Sequence, residues 1–171
     1  IFHYRSGGSL GLVKHVTDHF FSRFGPVTTK RGDICGGAGD AAQLADFGDE
    51  DANDLHDLLH AKAVVLWGKN PHTSSPHLLP ILQELRRKGA RVALVDPVAH
   101  RGVKLADRFV QRRLGGDVAL ALGVARSLFE RDLTHPDAAR WCEGLDRFEA
   151  LARSRHLDAW AREADVPAAD V

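Results

Sequence analysis

Residues 63–95 read Ala63-Val-Val-Leu-Trp67, Gly68-Lys-Asn-Pro-His-Thr-Ser-Ser-Pro76, His77-Leu-Leu-Pro-Ile-Leu-Gln-Glu-Leu-Arg-Arg-Lys-Gly89 and Ala90-Arg-Val-Ala-Leu-Val95. The runs Ala63–Trp67 and Arg91–Val95 are short, apolar and rich in β-branched residues, as buried strands are. Between them Leu78, Leu82 and Leu85 recur at helical spacing, and the stripe ends in basic residues and Gly89, the signature of a helix C-terminus. Strand, helix and strand within this length make a parallel crossover unit, because two parallel strands need a long connection between them. The fold class that follows is α/β, with a mainly parallel, Rossmann-like sheet and helices on both faces in three layers.

Working outward, Arg108-Phe-Val-Gln111 is a third strand, followed by Leu114-Gly-Gly-Asp117 and an apolar helix from Val118 to Phe129 with Asp117 as its N-cap. After Thr134 the pattern is of short amphipathic helices around Trp141, Leu145, Phe148, Leu151 and Trp160. On the other side, Leu55, Leu58 and Leu59 suggest a short helix, and the acid-rich stretch Asp46–Asp54 an exposed loop. Further back, Arg31-Gly-Asp-Ile-Cys-Gly-Gly-Ala-Gly39 is a Gly-rich turn around Cys35, and Thr28-Thr-Lys30 a brief edge strand. The chain opens with a short strand at Ile1–Tyr4, a Gly-rich turn through Ser6–Gly11, and a helix carrying Val13, Val16, Phe20 and Phe24 that stops at Gly25-Pro26. One central α/β domain, residues 1–171, is expected, with a Gly-rich first part (1–50), a strand–helix–strand part (61–130) and a helical tail (134–165).

A chain of 171 residues can bury a sizeable core, roughly 70% of its unfolded surface. Lys plus Arg and Asp plus Glu both number 23, so no charge surplus argues for nucleic acid or a membrane surface as partner. With 44% hydrophobic and 27% charged residues the chain is of globular type, and no run approaches the ~20 apolar residues of a membrane span. Two cysteines, Cys35 and Cys142, are too few and too far apart for a structural zinc or iron–sulfur site, and the lack of disulfide-like pairing points to the cytoplasm. Ile1-Phe-His-Tyr-Arg5 has neither an initiator Met nor a signal pattern, and reads as an excerpt of a longer protein.

Ligands of open parallel sheets lie past the carboxyl ends of the strands. Ser6–Gly11, Gly68–Ser75, Asp96-Pro97 and Gly115–Asp117 all follow expected strands and offer glycine N–H groups, hydroxyls and carboxylates, the groups that hold a nucleotide-like ligand. Each also has a plainer reading. Asp96-Pro97 and Asn70-Pro71 make turns, Asp117 caps a helix, and Ser74 and Ser75 cap the next one. Cys35, followed by Gly36 and Gly37, is approachable and suits a soft metal or a nucleophilic role, whereas Cys142 beside Trp141 reads as core. His15 with His19, and His56 with His60, have i, i+4 spacing but no third ligand, and read as surface histidines.

Read together, Tyr4-Arg-Ser-Gly-Gly-Ser-Leu-Gly11, Asp33-Ile-Cys-Gly-Gly-Ala-Gly39, Leu66-Trp-Gly-Lys-Asn-Pro71, Val95-Asp-Pro97 with Ala106-Asp107, and Gly115-Gly-Asp-Val-Ala-Leu120 resemble the molybdopterin oxidoreductase family of formate dehydrogenases, nitrate reductases and dimethyl sulfoxide reductases. The resemblance implies the sheet architecture of those enzymes. It also implies a bis(molybdopterin guanine dinucleotide) cofactor with molybdenum or tungsten, held in the full enzyme rather than by the excerpt alone. Cys35 falls at the metal-ligand and catalytic position. Gly7, Gly8, Ser9, Gly68, Asn70, Thr73 and Ser74 fall where pyrophosphate and ribose are approached, and Asp96, Pro97, Gly116 and Asp117 at the nucleotide end, with Asp117 at the guanine edge. Gly36 follows Cys35 where formate-oxidising members often carry His, and Arg113-Leu-Gly-Gly stands where many relatives have a Pro-Gly-Thr-like turn. By the same resemblance the partners are a small-molecule substrate, N- and C-terminal domains of the same polypeptide with an iron–sulfur cluster upstream, and an electron-transfer subunit. The competing expectation is a non-catalytic nucleotide-binding or interaction module built on the same sheet.

Overall fold

The computed structural model describes residues 1–5, 11–49 and 54–171, and the chain divides into two compact units, Ile1–Asn53 and Asp54–Val171. In the first, β1 (Phe2–His3) pairs in parallel with β2 (Thr28–Thr29). Between them runs α1 (Val16–Phe24), entered through a 3-10 turn at Leu12–His15 and ended by Gly25 at φ 130°. The ring of Phe21 stacks on His3 at 4.3 Å, while Phe20 and Phe24 are each 57% exposed. Next comes α2 (Gly37–Phe47), closed by Gly48 in the left-handed region at φ 75°. This helix was not legible in the glycine-rich text, and it takes Asp46 out of the expected acidic loop. Alanines 38, 41 and 42 supply the helix propensity that the glycines withhold.

The second unit is built on three parallel strands in the order β3 (Ala63–Trp67), β4 (Arg91–Val95), β5 (Arg108–Val110). Register is continuous, with Leu66 opposite Leu94 and Leu94 opposite Phe109. Side chains alternate across the sheet, so Val64, Leu66, Val92 and Leu94 face one way. There they pack on Leu78, Ile81, Leu82 and Leu85 of α4 (Leu78–Arg87), the stripe read from the sequence. Between β4 and β5 a 3-10 turn at Arg101–Leu105 lies on this same face through Val103 and Leu105. Asp107 fastens the end of that crossover. Its carboxylate accepts the Val92 N–H at 2.7 Å and the Arg86 guanidinium at 3.1 Å, and these hold its pKa below the usual value, the Val92 bond most of all.

Val95 and Val110 point to the opposite face, where α5 (Asp117–Glu130) and α8 (Leu157–Ala164) cover them through Ala119, Leu120, Leu122, Trp160, Ala161 and Ala164. Trp160 is buried, and its indole donates to the Ala152 carbonyl at 2.9 Å, tying α8 to α7 (Leu145–Arg153). Helices thus lie on both faces, but the second layer reaches only the Val95 end. Ala63, Val65 and Trp67 of β3 remain exposed, Val65 at 58%, so β3 is half-buried rather than the fully buried strand its apolar run predicts.

The tail departs from expectation in the same direction. Trp141, which ends the short α6 (Ala138–Trp141), and Phe148 and Leu151 of α7 are exposed. Cys142, expected in the core, is an exposed free thiol, because α6 lasts only four residues and presents no buried side chain.

Candidate functional site

The strand-end loops are built as follows. After Trp67 the chain turns at Gly68, whose φ of 59° demands glycine, and the Gly68 N–H donates to the Val95 carbonyl at 2.8 Å. Asn70 then starts α3 (Pro71–Ser74). Its carbonyl accepts from the N–H groups of Thr73 and Ser74 and from the Ser74 hydroxyl, while its side-chain Oδ1 is buried without a partner. His72 Nδ1 is also buried and unpartnered. Thr73 and Ser74 are exposed. Buried polar atoms are nearly always hydrogen-bonded, so Asn70 Oδ1 and His72 Nδ1 are exceptions that fall together at this strand end.

Past β4, Asp96 is buried, and its Oδ1 accepts the Val98 N–H at 2.8 Å, so the turn role read for Asp96-Pro97 is real. Its Oδ2 lies 3.4 Å from His100 Nε2, yet that ring nitrogen makes no hydrogen bond. The distance alone is therefore not a bond. His100 Nδ1 accepts the Gly102 N–H at 3.0 Å, which puts its proton on Nε2, toward Asp96. Pro97 is held by its carbonyl, which accepts from Gln111.

Past β5, Asp117 is not the N-cap. Gly116 occupies that position, and Asp117 is the first residue of α5. Its Oδ1 accepts from the Trp67 indole at 2.7 Å and faces Arg112 Nη2 at 2.5 Å, joining the ends of β3 and β5 to the start of α5. Both of these contacts fall on Oδ1, and the side chain is 42% exposed. Arg112 is 8% exposed, donates to the Arg113 carbonyl, and keeps its Nε buried and unpartnered. Gly116 has a packing reason to be glycine, since a Cβ there would stand 3.0 Å from the Ala164 Cα and 3.1 Å from the Arg113 carbonyl oxygen. The sequence reading missed Arg112, His72 and His100. Their only signal was position, one or two residues beyond a strand or within the loop that follows it.

Cys35 lies in the first unit and is exposed. Its turn is organised by Asp33, whose carboxylate accepts the N–H groups of Cys35 at 3.3 Å and Gly36 at 3.2 Å and pairs with Lys30 at 3.0 Å. These lower the Asp33 pKa to about 2, the Gly36 bond first, then Lys30 and Cys35. Gly7, Gly8 and Ser9 lie outside the described residues. The four histidines at i, i+4 spacing are exposed, with His15 against Asp18 and His56 against Asp54. Among the described residues no group of three or more His, Cys, Asp or Glu side chains gathers to hold a metal ion.

An open parallel sheet with polar loops past its carboxyl ends defines the α/β class of ligand-binding folds. The chain belongs to the molybdopterin oxidoreductase family, whose model matches residues 4–134. It is 36% identical over 134 residues to the probable oxidoreductase YyaE of Bacillus subtilis (strain 168), covering 78% of this chain and 20% of that protein. To the assimilatory nitrate reductase catalytic subunit of the same organism it is 25% identical over 143 residues, 82% of this chain and 20% of that one. Among solved structures, acetylene hydratase from Pelobacter acetylenicus superposes with a TM-score of 0.54 at 19% identity, over 64% of this chain and 15% of that one, a likeness of fold. The chain thus spans 20% of the length of either curated relative. Among the described residues no helix is long and apolar enough to cross a membrane.

Proposed function

We propose that this chain is the central cofactor-holding α/β part of a molybdenum- or tungsten-dependent oxidoreductase, and that its strand ends hold the nucleotide and pyrophosphate parts of a bis(molybdopterin guanine dinucleotide). The observation that carries the reading is the set of buried, unpartnered polar atoms at those ends, Asn70 Oδ1, His72 Nδ1 and Arg112 Nε. The donor set fits the group. Arg112 supplies a cation and an N–H for phosphate, Asn70 an acceptor for a sugar hydroxyl, and the partly exposed carboxylate of Asp117 an acceptor for the guanine donors. Asp96 and Pro97 wall the nucleotide end, Gly68 admits close backbone approach, Gly116 joins the nucleotide end by resemblance, and Thr73 and Ser74 offer exposed hydroxyls. Gly7, Gly8 and Ser9 join the pyrophosphate contacts by resemblance.

When bound, the metal centre supplies two-electron redox chemistry toward a small substrate. This chain positions that centre, and Cys35 offers a thiolate as metal ligand, with Asp33 setting the turn that presents it. An iron–sulfur cluster in the preceding part of the polypeptide and an electron-transfer subunit complete the electron path. Two exposed free thiols support a cytoplasmic location.

The test is made on the full-length protein from cells that make the cofactor. Wild type should release guanine nucleotide on acid treatment and contain molybdenum or tungsten, and Asn70→Ala should release several-fold less at unchanged circular dichroism. Protein with neither metal nor nucleotide overturns the reading. Asp117→Ala should weaken GDP binding by about 1–3 kcal/mol, and an unchanged calorimetric titration would assign Asp117 to Arg112 and Trp67 alone. For Cys35→Ala, X-ray absorption should count one metal–sulfur bond fewer, with turnover largely lost; an unchanged count with normal turnover removes Cys35 as ligand.

A further inference from the structure

Past the carboxyl ends of β4 and β5 opens a cleft of about 420 Å³, lined by Pro97, Gln111, Arg112, Arg113, Leu114 and Asp165, a size that holds small ligands. Two arginines and a carboxylate meet there. Arg112 is 8% exposed and keeps its Nε buried without a partner. Asp165 stands at the C-terminal end of α8, outside the segment that the family model matches. The Arg113 N–H donates to the Ala164 carbonyl at 3.0 Å, and Gly116 lies against the Ala164 backbone, which brings the end of α8 to the end of β5 and the start of α5.

Packing does not account for an aspartate at this position. Asp165 closes α8 in the left-handed region at φ 58°, and its N–H donates to the Arg162 carbonyl at 3.2 Å. Glycine makes that turn without a Cβ penalty, and the negative end of a helix disfavours a carboxylate. The side chain is exposed, and among the described residues it joins no hydrogen bond or ion pair. An unfavourable residue with no contact in return points to a role in binding. Chemistry narrows the ligand. Arginine donates to adjacent acceptors and a carboxylate accepts from adjacent donors. Guanine carries both, with O6 and N7 on one edge and N1–H and the 2-amino group on the next. Adenine would set an acceptor against the carboxylate.

We infer that Asp165 is a base-reading residue of this chain, its carboxylate accepting from the N1–H and 2-amino group of a guanine seated in the cleft, where Arg112 and Arg113 supply donors for O6 and N7. The inference rests on the cofactor reading and adds a residue to it. Asp117, tied to Trp67 and Arg112, shares the nucleotide end rather than reading the base alone.

The test is calorimetric titration of the full-length protein, made in cells that lack the cofactor, with GDP, ADP and xanthosine diphosphate. Wild type should prefer GDP to both. Asp165→Asn keeps the left-handed turn but puts a donor where the carboxylate accepted. It should weaken GDP by about 10-fold and strengthen xanthosine diphosphate, whose 2-carbonyl accepts where guanine donates. Asp165→Gly should lose the same GDP affinity while melting at or above wild type. Unchanged GDP and xanthosine diphosphate titrations with Asp165→Asn overturn the inference and leave the cofactor reading to the nucleotide release of Asn70→Ala. Equal affinity of wild type for GDP and ADP also overturns it, giving the cleft to the phosphates alone. So does an Asp165→Gly protein that melts lower, which would make the carboxylate structural. If wild type binds none of the three, the inference falls, and the nucleotide released from cofactor-loaded protein decides the reading by itself.

Discussion

Asp117 is the residue on which the strand-end cluster turns. Removing its carboxylate leaves Arg112 buried without a counter-charge and the Trp67 indole without an acceptor, and partial exposure of the aspartate lets water repair some of this. Asp117→Ala should cost about 1–3 kcal/mol in urea unfolding, and Asp117→Asn less, since an amide oxygen still accepts from the indole. Equal stability in all three proteins would deny the cluster a structural role. Asp33 gives a pH-dependent counterpart. Its folded pKa is lowered, so its hold on the Cys35 turn is complete above its ordinary value, weakens below that, and is lost as pH falls through about 2. A carboxyl carbon titration should find that midpoint, with the amide signals of Cys35 and Gly36 moving together with it; a midpoint near the ordinary ~3.9 refutes the bonds. Neither role was legible in the sequence. The Trp67 contact spans 50 residues, and a carboxylate at a helix start looks like a cap whether or not a buried arginine waits beside it.

At the scale of elements, strands β3 and β4 were legible as short apolar, β-branched runs and helix α4 by its leucine stripe at helical spacing. What those signals could not disclose was coverage. The apolar run of β3 is that of a fully enclosed strand, and Val65 at 58% exposure shows that the described residues leave one of its faces open. Helix α2 was hidden by glycine, and the exposed Cys142 was misplaced because a tryptophan neighbour reads as core when the helix is assumed long enough to bury one. The junction of α5 with α8 is the tightest among the glycine sites where backbone is the obstacle. Gly116→Ala sets a methyl 3.0 Å from the Ala164 Cα, which cannot rotate away. Overpacking of this kind should cost about 1–3 kcal/mol. A melting temperature equal to wild type would mean that the two helices can part freely.

For the whole molecule, the two units give an optical separation that tests their independence. Trp67, Trp141 and Trp160 all lie in Asp54–Val171, and Tyr4, the single tyrosine, in Ile1–Asn53. Leu82→Ala empties a fully buried site of α4 and should cost about 2–5 kcal/mol, moving the tryptophan transition to lower denaturant while the tyrosine signal keeps its midpoint. A common shift would show one cooperative body. The exposed phenylalanines of α1 carry a different consequence, one of handling. With Phe20 and Phe24 in water, the β3 edge free and a sequence pI of 7.3, this chain near neutral pH has sticky surface and almost no net charge to keep its copies apart. Moving the pH away from neutrality should lower self-association of this chain, and light scattering that shows no change with pH would refute the expectation.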